Sequence, residues 1–370
     1  MARLDGRVLV VNAGSSSLKL RVLAADDEVT AGADLPAPRG TVDSADIKAA
    51  IESFGPVGAV GHRVVHGGTL YGAPVVVTGE VRRRLETLSD LAPLHQPKSL
   101  AALDAVSEVL PSVPAVACFD TAFHATIGDA AATYALPAEW RARWTLRKYG
   151  FHGLSHSYAS RRAAELLRRS VDGMRVVTCH LGAGASLAAV HSGRSVDTTM
   201  GFTPLDGLVM ATRSGSVDPG LVLWLEEHAG TPSAELAATL EYRSGLTGLA
   251  GTGDMREVLS RAAAGDTRAV LGREVYLHRL RASVAAMTAA MDGLDVLVFT
   301  GGVGENSAEV RSRAAAGLGF LGVRIDEERN SRGGSDDWEI SAPGAPVRAF
   351  VIAAREDKQI AAEVRLVLNR

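Results

Sequence analysis

The chain has 370 residues, 46% of them hydrophobic and 22% charged, which is apolar material enough for two ordinary cores and a poor composition for disorder. Lys and Arg number 39 against 42 Asp and Glu, and the net charge of -3 excludes an electrostatic footprint for nucleic acid or an anionic membrane surface, so any anionic ligand must be held by a local site. Cys118 and Cys179 sit in apolar runs and read as small core residues of a reducing compartment rather than a disulfide.

The first apolar run, Val8 to Val11, is too short for a signal peptide, and no run approaches the roughly 20 residues of a membrane span, so the expected location is the cytoplasm. Arg7 to Val11 reads as a strand that breaks at Asn12-Ala13-Gly14-Ser15-Ser16-Ser17 and resumes with strict alternation over Leu18 to Leu23. Helices are expected over 45–54, 81–88 and 97–110, strands over 57–65 and 113–119, and a further helix over 155–168. The opening pattern then returns: a strand over Arg175 to Cys179, a turn at His180-Leu181-Gly182-Ala183-Gly184-Ala185-Ser186, and runs over 187–190 and 194–199. Helices follow over 234–242, 255–264 and 267–291. A strand over 295–300 enters a Gly-rich turn before the next helix, and a strand over 347–352 precedes a C-terminal helix. Strands mixed with helices at this spacing give α/β layers, and the repeated hairpin indicates an internal duplication. The division falls at residues 1–122 plus 358–370 for a first domain and 123–357 for a second.

Both hairpin turns present small residues and backbone N–H groups, the design of a phosphate-binding concavity; Ser15, Ser16 and Ser17 add hydroxyls and Lys19 a point charge. Facing each other, two such loops would grip a polyphosphate. The third cluster, Phe299-Thr300-Gly301-Gly302-Val303-Gly304-Glu305-Asn306-Ser307, ends a strand and suits a nucleotide at a helix start, with Asn306 as N-cap, Glu309 three positions on, and Gly317 as the helix end. Other motifs fail on context. Gly317 to Gly322 fits G-x-G-x-x-G but follows a helix, no Walker A or G-x-S-x-G sequence occurs, and the pairs His62/His66 and His152/His156 lack the Glu of a zinc helix. Four polar residues remain among apolar neighbours: Arg63, Asp120, His152 and Arg213. Each alone reads as a structural ion pair or a surface position. Together, beside phosphate-type loops, they are the parts of a phosphoryl-transfer site.

The ordered blocks Val11 to Lys19, Gly61 to Gly68, Asp120 to His124, Lys148 to Gly153, His180 to Ser186, Met200 to Leu205 and Phe299 to Ser307 resemble those of the acetate and propionate kinase family over essentially the whole length. That resemblance implies two duplicated ribonuclease-H-like α/β domains of the sugar kinase, heat-shock and actin superfamily, closing on nucleotide, in a homodimer. It implies reversible transfer of the ATP γ-phosphoryl group to acetate with Mg²⁺, giving acetyl phosphate and ADP. Carried over residue by residue, Arg63 and Arg213 would stabilise the transferring group and the carboxylate, and His152 would donate to phosphoryl oxygens. Asp120 and Glu356 would organise the metal, with Asn12 beside them at the phosphoryl end. Lys19, His180, Gly182 and Gly184 would hold the phosphates of ATP, while Asp254, Met255, Arg256, Gly302, Val303 and Asn306 would surround the nucleoside. Val65, Leu94 and Pro204 would wall a small acyl pocket. The chain departs from the family pattern at Ala183 (usually Asn), Ala185, Asp206, Ala211 and Arg355. Propionate as the acceptor, or a nucleotide-binding protein without turnover, are the alternative readings. The presence of all four transfer residues favours an enzyme.

Overall fold

The computed structural model describes all residues except 1–5, 15–16, 38–42, 94, 335 and 370. Two compact units emerge, one of Met1–Ala125, Phe151–Tyr158 and Arg355–Arg370, the other of Thr126–Gly150 and Ala159–Ala354. Sequence patterning places the division at 122/123 and 357/358; the units divide at 125/126 and 354/355, and residues 151–158 group with the first.

In the first unit, strands β1 (Val8–Ala13), β2 (Ser17–Leu23) and β3 (Val29–Pro36) form an antiparallel meander. Strand β4 (Ala59–Val64) pairs parallel to β1, the two-residue β5 (Val75–Val76) lies at the edge, and β6 (Ala115–Phe119) joins β4 to β5, giving the order β3-β2-β1-β4-β6-β5. Alternation along the central strands supplies two apolar faces. Leu9, Val11 and Val60 pack against Ile47 and Ile51 of the helix Ser44–Phe54 and Val106 of the helix Gln96–Val109. Val8, Val10 and Val116 pack on the other side against Ile360, Ala361 and Val364 of the C-terminal helix Glu356–Leu368. Gly61 permits that second contact, since a Cβ there would lie 2.5 Å from Ile360 and 2.8 Å from Val364. Each such fully buried aliphatic side chain is worth about 1.5–3 kcal/mol of transfer free energy, so this contact seats the C-terminal helix, and Glu356 at its start, on the sheet.

The second unit repeats the plan strand for strand. β7 (Arg175–Leu181), β8 (Ala185–His191) and β9 (Arg194–Thr198) form the meander, β10 (Val296–Thr300) runs parallel to β7, and β12 (Arg348–Val351) runs parallel to β10 with the short β11 (Trp338–Glu339) at its edge. The order β11-β12-β10-β7-β8-β9 is that of the first sheet with each strand replaced by its counterpart. The internal duplication is therefore present in full, not only in its hairpins.

Two local expectations are corrected. Residues Gly301–Asn306 form a short helix rather than a turn, and the N-cap of the following helix, Ala308–Ala316, is Ser307, whose hydroxyl accepts from the Val310 N–H. Asn306 already donates its side chain to the Gly302 carbonyl at 2.8 Å and is not free to cap. Gly317 does end that helix, at φ -87°, outside the left-handed region. Strand β3 and the helix Pro219–Ala229 carry no sequence expectation: β3 is a half-exposed edge without an apolar run, and the helix buries none of its residues, so neither shows a clear periodic face. Among the described residues no helix is long and apolar enough to cross a membrane.

Candidate active site

Adjacent parallel strands bring the first cluster together. Arg63 lies on β4 opposite Cys118, and Asp120 follows β6 with its N–H donated to the Val64 carbonyl. The Arg63 guanidinium donates Nε to both Asp120 oxygens at 3.1 Å and Nη2 to Oδ2 at 2.6 Å. Its Nη1 donates to Asn12 Oδ1 at 3.1 Å, Asn12 Nδ2 donates to Glu356 Oε2 at 3.0 Å, and Glu356 stands 3.8 Å from Arg63 Nε. Asp120, Arg63, Asn12 and Glu356, separated by up to 344 positions, thus form one polar network. Asp120 is only 2% exposed. Burial pushes its carboxyl above the usual range, Arg63 pulls it back part of the way, and Glu356 adds to the rise. Burial opposes the Arg63 charge as well, but Asp120 and Glu356 outweigh it and hold the guanidinium firmly protonated.

His152 is half-buried in the turn before the helix Gly153–Leu167. The next residue, Gly153, donates its N–H to the Asp120 carbonyl at 2.7 Å, which ties this turn to the end of β6. Val65 is buried just beyond β4, and Lys19 is exposed on β2 opposite Asn12. Leu94, Ser15 and Ser16 lie outside the described residues. Sequence reasoning missed Gln96, which is fully buried and brackets the backbone of His66: Oε1 accepts from its N–H at 3.2 Å and Nε2 donates to its carbonyl at 3.0 Å. His66 Nδ1 accepts from the Gly68 N–H at 2.9 Å, and burial lowers its pKa to about 4. These contacts fix the strand end that carries Val65. A Gln next to Pro97 at a helix start reads as ordinary surface, so nothing local marked it.

The second unit holds a cavity of about 660 Å³, within the range of small-molecule sites. Gly182 and Ala183 of the β7–β8 hairpin, Asp254, Met255 and Arg256 at the start of the helix Met255–Ala263, and Gly302, Val303 and Asn306 all line it. The hairpin closes tightly, Gly182 donating its N–H to the Gly184 carbonyl at 2.9 Å. A Cβ on Gly182 would lie 3.8 Å from His180 Nε2 and 4.0 Å from the Gly302 nitrogen, so the hairpin tip and the Gly301–Asn306 helix adjoin. Gly301 makes the junction possible: its φ is +77°, and a Cβ would meet the Leu181 carbonyl oxygen at 2.9 Å. Asp254 caps its helix and pairs with Arg256, whose hydrogen bonds lower the carboxyl to about 2. The pair is solvent-exposed and contributes little to stability.

Arg213 belongs to this unit and is held by Glu241, with Nε to Oε1 at 2.6 Å, while Thr212 Oγ1 donates to the Glu241 carbonyl at 2.8 Å. Both side chains of the ion pair are more than four-fifths buried. Glu241, near the end of the helix Ser233–Tyr242, is a second partner of a candidate site residue that the sequence did not mark. Pro204 is half-buried in the loop that follows β9. Among the described residues no group of three or more His, Cys, Asp or Glu could hold a metal ion unaided.

Residues 37–362 match the model of the acetokinase family. The chain is 42% identical to an acetate kinase of Shouchella clausii over 97% of its own length and 99% of that protein's. The crystal structure of Porphyromonas gingivalis acetate kinase is similar with a TM-score of 0.91 at 35% identity, covering 98% of this chain and 100% of that one. A propionate kinase from Francisella tularensis is similar with a TM-score of 0.90, also at 35% identity and with the same coverage. These likenesses extend over both units, and the duplicated α/β fold is the one those kinases share.

Proposed function

The chain belongs to the acetokinase family, and from that membership we propose that it is an acetate kinase, transferring the γ-phosphoryl group of ATP reversibly to acetate to give acetyl phosphate and ADP. The observation that carries this reading within the chain is the Asp120–Arg63–Asn12–Glu356 network, a buried cation held by carboxylates beside a strand end, in a chain that also contains a nucleotide-sized cavity.

Acetate is already ionised near neutral pH, so its attack on phosphorus needs placement and charge neutralisation, not a base. Arg63 and Arg213 supply planar cationic forks for the acyl carboxylate and the phosphoryl oxygens, each pre-oriented by a buried acid. His152 adds a donor to the same oxygens. The nucleoside takes the 660 Å³ cavity, with phosphates along the His180–Gly184 hairpin; the phosphate role of Lys19 rests on the family resemblance alone. Mg²⁺ fits the donor set: it binds through one or two carboxylates plus substrate phosphates, and Asp120 and Glu356 are two hard oxygen donors around one guanidinium. When bound, the metal offsets charge on the phosphoryl oxygens. Asn12 holds Glu356 in place; the acyl-end roles of Val65, Leu94 and Pro204 rest on the family resemblance alone.

The reading includes a homodimer in the cytoplasm. Support for the homodimer is the helix Pro219–Ala229, which buries none of its residues although Leu221, Leu223 and Trp224 are each about half exposed. Propionate is the competing acceptor, because one methylene in an apolar pocket discriminates by only about 1–3 kcal/mol. Hydroxylamine trapping of acyl phosphate with acetate, propionate and butyrate in parallel tests both readings. Acetate is expected to give the highest kcat/KM; a preference for propionate would replace the substrate, and no product from any acid would remove the activity.

A further inference from the structure

The largest fully buried side chain in the second unit is a cation with no carboxylate partner among the described residues. Arg311, on the helix Ala308–Ala316, is 2% exposed. Its Nη1 donates to the carbonyls of Gly304 at 2.9 Å and Glu305 at 2.8 Å, its Nε to Asn330 Oδ1 at 2.7 Å, and its Nη2 to the Asn330 carbonyl at 2.6 Å. The guanidinium also lies over the Trp338 ring, 5.7 Å from its centroid. A charge buried to this degree is costly, and desolvation lowers its pKa to about 10, yet it remains protonated at neutral pH.

What that charge holds explains why it is there. Gly304 and Glu305 belong to the Gly301–Asn306 helix, which is too short to satisfy its own C-terminal carbonyls. Those carbonyls form the negative end of the helix dipole, and Arg311 is the cation placed against them. The opposite end is also fixed: Glu305 Oε1 accepts from the Gly301 and Ala354 N–H groups, each at 2.9 Å. This helix carries Gly302, Val303 and Asn306 into the wall of the cavity, whereas Arg311 does not line it. Asn330 in turn donates to the Ala308 carbonyl at 2.9 Å, so the fork joins three helical segments behind the wall.

We propose that Arg311 is a positioning residue for the nucleotide, setting its affinity by holding the Gly301–Asn306 helix without touching the ligand. The inference rests on the assignment of this cavity to ATP. Only a five-donor planar fork can serve four oxygens in two directions at once; a lysine ammonium reaches fewer of them with no fixed plane.

The test uses the full-length protein with Arg311→Met and Arg311→Lys, measuring ADP binding by calorimetry, KM for ATP and for acetate, and amide hydrogen exchange. In Arg311→Met, the ADP dissociation constant and the KM for ATP are expected to rise about tenfold, comparable with losses on removing a residue that orients ligand-contacting groups. Arg311→Lys should lie between Met and wild type. KM for acetate should stay within twofold, and faster exchange should be confined to amides of 301–306 and their neighbours. ADP affinity within twofold of wild type in folded Arg311→Met, or equal rises in both KM values, overturns the proposal. If Arg311→Met does not fold, Asn330→Ala carries the test. It removes one of the four acceptors and should weaken ADP about threefold, and an unchanged affinity counts against the proposal. A wild-type protein that binds ADP but forms no acyl phosphate would refute the kinase reaction and leave the role of Arg311 standing; failure of the wild type to bind ADP would refute both.

Discussion

Replacing Arg63 by Met strands Asp120 in the interior. The carboxylate is 2% exposed and takes three contacts from the guanidinium, at 2.6, 3.1 and 3.1 Å, with Glu356 as the next nearest charge to that fork. Removing one partner of such a pair leaves an uncompensated buried charge and destabilises by about 3–5 kcal/mol. The chain can escape only by protonating Asp120, whose folded pKa is already raised by burial and rises further without Arg63. The sign follows from linkage: an acid with a raised folded pKa binds more protons folded than unfolded, so stability falls as pH climbs from the ordinary carboxyl value towards the folded one, by about 1.4 kcal/mol per unit. Arg63→Met is therefore expected to lose about 3–5 kcal/mol at pH 8 and much less at pH 5. Urea unfolding followed by circular dichroism reads this; tryptophan fluorescence does not, because Trp140, Trp144, Trp224 and Trp338 all lie in the other unit. Adding Asp120→Asn should restore stability while acyl phosphate formation stays abolished. A loss below about 1 kcal/mol at pH 8, or one equal at pH 5 and pH 8, refutes the description of Arg63 as the counterion of a buried Asp120.

Arg213→Ala should lower kcat/KM by about 100-fold, near 3 kcal/mol of barrier by comparison with loss of one oxyanion donor, and an unchanged turnover removes Arg213 from the site. His62 is 1% exposed, neither ring nitrogen has a hydrogen-bond partner among the described residues, and burial lowers its pKa to about 4 despite Asp104. A base with a depressed folded pKa loses stability as pH falls from about 6.5 towards 4, here by up to about 3 kcal/mol. His62→Leu should flatten that part of the urea stability profile, and an unaltered slope contradicts the buried neutral imidazole. Ala183 lines the 660 Å³ cavity with no polar side chain; if that cavity takes the nucleotide as proposed, Ala183→Asn is expected to tighten ADP binding in calorimetry, and no gain contradicts a lost side-chain contact there.

The duplicated hairpins, most helices and the candidate polar residues were legible because each has a local signature. Apolar alternation marks strands, and Gly clusters at strand ends mark ligand loops. Arg63, Asp120, His152 and Arg213 stand out as polar residues in apolar surroundings. Even the overlooked helix Pro219–Ala229 carries its punctuation, Asp218 accepting from the Gly220 N–H at one end and Gly230 at φ 64° at the other. What periodicity could not supply there was a buried face.

Partners are another matter. That Arg63 reaches Asp120, Asn12 and Glu356 at once depends on β1, β4 and β6 lying side by side with the C-terminal helix packed across them through Gly61. Arg213 meets Glu241 across 28 positions, Gln96 clamps the His66 backbone across 30, and Arg311 gathers nearby carbonyls behind the cavity with the Asn330 carbonyl 19 positions on. The same distinction corrected Asn306, whose sequence suits an N-cap but whose amide is engaged by the Gly302 carbonyl once residues 301–306 coil. The sequence alone determined the two-part α/β plan and the candidate polar positions, because strand period, backbone freedom and an ionisable residue in an apolar run are local properties. Which charge faces which, and so what each titrates against, was decided only by the tertiary structure, since electrostatic and hydrogen-bond energies depend on distances that packing sets.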